Sequence, residues 1–81
     1  MSVEHIEDLK VFAQAVESGT LAAAGRTLGL APSIVSRRLA RLERALGVRL
    51  LQRTTRSLSV TDEGQVFYRR CRRILFEIEA A

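Results

Sequence analysis

Between Pro32 and Gly47 the chain carries Val35, Leu39, Leu42 and Leu46, apolar residues spaced four, three and four apart. At about 100° per residue they fall within a sector of roughly 60°, a single apolar stripe along one helix. Pro32 suits a first helical turn, where its missing N–H costs nothing, and Gly47 suits the left-handed position just past the last turn. A helix over 32–46 is the most constrained element of the chain, and the rest of the fold must cover all four residues of its stripe. Opposite the stripe lie Ser33, Arg37, Ala40, Arg41 and Arg44, with Ile34, Ser36 and Arg38 on the flanks. A solvated helix usually mixes both charge signs to support itself. This face does not.

The imbalance extends beyond the helix. Residues 1–25 hold Lys10 against Glu4, Glu7, Asp8 and Glu17, a net −3, whereas residues 26–56 hold eight arginines against Glu43 alone, a net +7. Residues 57–81 balance, with four arginines and four acids. Arginine's planar fork matches phosphates and guanine edges better than lysine's point charge does. The charge map favours nucleic acid; a basic surface for an acidic protein or an anionic lipid is the alternative reading.

At 81 residues, 47% hydrophobic and 27% charged, the chain fits one small globular domain. Ile6, Leu9, Phe12, Ala13 and Val16 recur at helical spacing up to Ser18–Gly19. Thr20 can cap a short second helix, LAAAGRTL, with Leu21, Ala24 and Leu28 inward and Gly29 ending it. Small residues at 22–25 let that helix cross another at close range, and the Pro32 helix follows after a short turn. This is the layout of a helix-turn-helix. After Gly47 the period changes: VRLLQRTTRSLSV reads as a small β-hairpin, with Arg53 and Arg56 bracketing its tip. Asp62 and Glu63 then suit the start of a last helix, on which Phe67, Cys71, Ile74, Leu75 and Ile78 form an apolar stripe. A domain this small is expected to leave that stripe uncovered, which points to a second copy of the chain as its cover.

Other functions find little support. His5 has no second ligand at metal-binding spacing, and Cys71 lies on an apolar stripe, as a buried small hydrophobe would. No nucleophile–base pair, phosphate loop or carboxylate dyad stands out, so neither catalysis, a metal nor a cofactor is expected. Arg69, Arg70, Arg72 and Arg73 read as flanks that keep the last stripe soluble. The acidic N-terminus lacks the basic and apolar regions of a signal peptide, and no apolar run is long enough for a membrane span. The expected compartment is the cytoplasm.

From about Leu9 onward the sequence resembles the N-terminal winged helix-turn-helix of LysR-type transcriptional regulators, most specifically in VSRRLARLE…LG and RTTRSLSVTDEG. The resemblance implies a mainly α fold: a three-helix core, a β-hairpin wing, and a long C-terminal dimerisation helix. Residues 1–61 would form the DNA-binding domain and 62–81 the linker helix, with the effector-binding domain of the family, and its small-molecule effector, absent from this chain. It further implies a homodimer on double-stranded DNA. By position, Pro32, Ser33, Ser36, Arg37 and Arg38 are base-reading candidates; Arg56 matches the wing residue that reaches the minor groove, and Thr20 a phosphate-contacting region. Arg41, Arg44 and Arg53 are expected at the DNA backbone or in the wing, and Phe67, Cys71, Ile74, Leu75 and Ile78 in the dimer contact. Three positions depart from the family pattern. Ala31 stands where a capping Ser is common, Leu51 where Phe is frequent, and Gly25 where Ala is usual, the last at about 1 kcal/mol in a helix interior. A winged helix of the MarR-like kind, or a basic protein-interaction module, is the alternative.

Overall fold

The computed structural model describes residues 3–54 and 57–80, with 3–5 described in backbone only. Its elements are α1 (Val3–Ser18), α2 (Leu21–Leu28), α3 (Pro32–Leu46), β1 (Leu51–Arg53), β2 (Leu58–Val60) and α4 (Asp62–Ala80). The strands pair antiparallel, with Leu51 opposite Val60 and Arg53 opposite Leu58. No helix among the described residues is long and apolar enough to cross a membrane.

The helix boundaries follow the sequence signals. The Thr20 hydroxyl accepts from the Ala23 N–H at 3.0 Å, capping α2. Gly29 and Gly47 end α2 and α3 in the left-handed region, at φ 72° and 73°. Ala31 begins α3 with no side-chain cap.

The centre of the fold is α1. Leu9, Phe12 and Ala13 of the expected stripe are buried, and so are Val11 and Ala15 outside it. A helix buried on more than one face is surrounded, and α1 packs against α2, α3, α4 and β2. Val35, Leu39 and Leu42 of α3 join this core, but Leu46 does not: it is 42% exposed. The last turn of α3 opens onto a surface groove that Leu46 lines with Val48, Val66 and Arg70, away from the layer over α1.

The α4 stripe is also differently covered from expectation. Cys71 is wholly buried within the single chain, and Phe67, Ile74 and Leu75 pack half-buried against the core. The rings of Phe67 and Phe12 sit 5.5 Å apart and tilted by 53°. The Tyr68 hydroxyl donates to Glu17 at 2.9 Å, and Arg72 reaches the same carboxylate oxygen at 3.3 Å, tying α4 to α1. Partial burial, and then the Glu17 bond, raise the Tyr68 pKa. α1 and β2 both pack against α4, and Phe12 of α1 meets its stripe at Phe67. Cys71 therefore cannot meet a partner directly; the exposed apolar residues of α4 are Val66, Phe76 at 71% and Ile78 at 44%.

Gly25 is a requirement of packing. A Cβ at this position would overlap the Leu30 carbonyl, which the turn into α3 brings down onto α2. The same turn is closed by the Leu30 N–H donating to the Gly25 carbonyl at 2.9 Å. Gly25→Ala should gain about 1 kcal/mol of helix propensity but lose up to about 3 kcal/mol to overpacking against backbone. The net expectation is a lower urea midpoint; a raised midpoint would mean the turn yields freely.

Burial pushes the Cys71 thiol up from 9.0 to about 11. The folded state thus holds this proton where the unfolded chain has released it. The associated stability is fully present below pH 9 and is lost as pH rises through about 11. Urea midpoints should fall between pH 8 and pH 10.5, and fall less in Cys71→Ala. An equal fall in both proteins would place the titration elsewhere.

Candidate nucleic-acid interface

Helix α3 is held on three of its four sides. Its inner side is the Val35, Leu39 and Leu42 stripe. On the α1 side, Arg41 grips Asp8 with two bonds, Nε to Oδ2 at 3.0 Å and Nη2 to Oδ1 at 2.6 Å. Asp8 is 2% exposed, and a carboxylate so buried needs a charged partner. On the wing side, Glu43 accepts the backbone N–H groups of Leu50 and Leu51 on one oxygen, at 2.8 and 3.1 Å. The lone acid of the basic third thus splices the end of α3 to the first strand.

Arg53 completes the wing side. A strand alternates faces every residue, so Arg53 shares the helix-facing side of β1 with buried Leu51. There it donates from Nη1 to the Ser36 hydroxyl at 2.6 Å and from Nη2 to the Ser36 carbonyl at 3.3 Å. The wing is closed by the Thr54 N–H donating to the Ser57 carbonyl at 2.9 Å. Its inner strand is fastened by the Leu58 N–H to the Gly19 carbonyl, also at 2.9 Å. Arg56, the expected minor-groove residue, lies outside the described residues.

The fourth side of α3 faces solvent. Pro32, Ser33, Arg37 and Arg44 are exposed along it, and Arg38 is half-buried at its edge. Among the described residues, neither Arg37 nor Arg44 makes an ion pair. Arg37, Arg38, Arg41 and Arg44 line one cleft along the helix with Ile34. A second cleft joins the starts of α2 and α3 to the wing, with Thr20, Ala22, Pro32, Arg53 and Ser57 among its walls. The uncapped first turn of α3 adds the positive end of its dipole to the same region.

Sequence reasoning placed Ser33, Arg37 and Arg44 together, and the structure does bring them to one open face. Arg41 and Arg53, exposed as well, also bond to other parts of the fold, Arg41 to Asp8 and Arg53 to Ser36. Asp8 was legible in principle, as a carboxylate one turn before Phe12 on the mainly apolar side of α1. The Arg53–Ser36 bond was not, because it depends on how the hairpin folds back.

A helix-turn-helix whose last helix offers one exposed basic face, followed by a two-stranded wing, defines a winged helix-turn-helix DNA-binding domain. The family model described as "Bacterial regulatory helix-turn-helix protein, lysR family" matches residues 6–65, and the chain belongs to that family. It is 55% identical over 75 residues to the HTH-type transcriptional regulator CrgA of Neisseria meningitidis, covering 93% of this chain and 25% of that protein. The chain thus spans about a quarter of the length of this curated relative. In structure it is similar to CbnR_DBD in complex with DNA, at TM-score 0.90 and 35% identity, covering 93% of this chain and 86% of the other. It is also similar to BenM_DBD bound to benA site 1 DNA, at TM-score 0.88 and 31% identity, covering 93% and 87%.

The two classes of arginine on α3 should separate experimentally. Arg41→Ala leaves the buried Asp8 carboxylate without its bidentate partner and should cost about 2 kcal/mol of stability, discounted from the fully buried case because Arg41 is half exposed. Arg44→Ala should leave stability within about 0.5 kcal/mol while reducing the salt slope of duplex binding by about one. Urea titrations with binding isotherms at several salt concentrations check both. Equal stability losses would contradict the assignment.

Proposed function

We propose that the chain reads double-stranded DNA by sequence, laying the outer face of α3 in the major groove as one half of a homodimer. The observation that carries this reading is the open side of α3, with Ser33, Arg37 and Arg44 exposed while its other three sides are engaged. The start of that helix combines small hydroxyls with arginine: short side chains allow close approach, and arginine pairs bidentately with guanine. Arg44 adds phosphate contact, supplying affinity and register. Thr20, whose hydroxyl oxygen caps α2 by accepting from Ala23, would give its hydroxyl hydrogen to a phosphate in this reading. Arg56 is assigned to the minor groove by its position in the family's pattern alone. The likeness to two DNA-binding domains described with DNA supports the same use. Residues 1–61 act as the reading unit and 62–81 as the linker, in a cytoplasmic transcription regulator with no catalytic role.

Dimerisation rests on the end of α4. Leu75 is half-buried, and Ile78 carries the stripe to the surface, while Phe76 is exposed on another side of the same last turns. Exposed apolar residues grouped on one helix end mark an interface, and a second α4 is the occupant that DNA half-sites call for. Phe76→Asp with Ile78→Asp should shift sedimentation to monomer and weaken operator binding while leaving the helical dichroism of the domain intact. A wild-type chain that is monomeric at high micromolar concentration would refute dimerisation through α4.

For base reading, duplexes selected from a randomised pool supply a site. Arg37→Ala should then relax preference at one or two base positions, at about 1–3 kcal/mol each. Equal losses on every single-base variant would remove Arg37 from base reading.

A further inference from the structure

Resting on the reading that the start of α3 faces bases, we infer that Arg53 is a specificity-determining positioning residue, which sets the Ser36 hydroxyl as a hydrogen-bond donor to the DNA.

A serine hydroxyl has one hydrogen to give and two lone pairs to receive with. Left to itself it rotates, and pairs with either a donor or an acceptor on a base edge. In this fold one lone pair is already occupied: Arg53 Nη1 donates to Ser36 Oγ at 2.6 Å. The second arm of the fork, Nη2, reaches the Ser36 carbonyl at 3.3 Å, so the guanidinium holds side chain and backbone of one residue together. Among the described residues no hydrogen bond takes the Ser36 hydroxyl hydrogen. A cation on the oxygen polarises the O–H bond and strengthens it as a donor. The hydroxyl therefore seeks acceptors, which in the major groove are guanine N7 and O6, adenine N7 and thymine O4. It is biased against the amino groups of cytosine N4 and adenine N6.

The same bonds set the task of Arg53. Its charge is directed at α3, from the helix-facing side of β1, and the Leu51–Val60 pairing holds that strand in place. Lysine cannot copy this grip, because a single ammonium lacks the planar fork that reaches hydroxyl and carbonyl together.

The test uses a duplex selected by the wild-type chain from a randomised pool, and its single-base variants, with four proteins: wild type, Arg53→Lys, Ser36→Ala and the double variant. Wild type should prefer an acceptor at one base position by about fivefold, the net worth of one hydrogen bond. Arg53→Lys keeps the charge and hence the salt slope, yet should lose that preference. Ser36→Ala should lose the same preference, and in its background Arg53→Lys should change nothing further at that position. Wild-type preference retained in Arg53→Lys, or unchanged in Ser36→Ala, would overturn the inference while leaving DNA reading intact. So would additive losses in the double variant. If Arg53 instead leaves Ser36 for a phosphate, Arg53→Ala would weaken all duplexes evenly and reduce the salt slope by about one. A pool from which the wild type selects no site would refute DNA reading itself, and this inference with it.

Discussion

The burial of α1 is the constraint on which the other elements depend. Leu9, Val11, Phe12, Ala13 and Ala15 are all withdrawn from water, and burial of each large side chain contributes about 1.5–3 kcal/mol. Because these residues point in several directions, α1 fixes α2, α3, α4 and β2 at once. Asp8, its one buried charge among the described residues, then sets the rotation of α3 by demanding Arg41. That rotation decides which side of α3 is left to solvent. A fold of this size has little other means of orienting a recognition helix, and here hydrophobic area supplies the energy while a single ion pair supplies the angle.

The arginines of the basic third divide between those bonded to the fold and those left to solvent. Arg41 and Arg53 turn back into the fold, one to α1 and one from the wing to α3. Arg37 and Arg44 stay outward. Glu43, the only acid in this stretch, leaves the arginines alone and accepts two backbone N–H groups of the incoming strand. Residues Leu50 and Leu51 are buried, so without Glu43 those N–H groups would lack both water and a partner. One carboxylate thus joins helix to wing.

Much of this was legible in the sequence, for local reasons. Helix spacing, Thr20, Pro32 and the glycines at 29 and 47 act within a few residues, and the elements fall where those signals place them. The solvent-facing side of α3 was legible too, because Val35, Leu39 and Leu42 define its opposite. What escaped was tertiary. The periodicity of α4 shows a stripe but not its cover, and the shared core that buries Cys71 needs three dimensions to be seen. Leu46 follows the helical period yet lies past the core's edge. Gly25 looked like a weakness by propensity, and only the path of the Leu30 carbonyl explains it. Charge counts gave no hint that arginines on one helix have different tasks, since the partners Asp8 and Ser36 are 33 and 17 residues away in sequence.

On DNA, α3 should keep its three internal attachments and meet the duplex with its fourth side. Side-chain Nε–Hε resonances of the arginines, followed by NMR while a selected duplex is titrated in, report this directly. The account predicts that the Arg37 and Arg44 signals shift and become protected from exchange, while Arg41 retains the position it has in the free protein beside Asp8. Movement of the Arg41 signal with the duplex, with Arg37 unchanged, would contradict it.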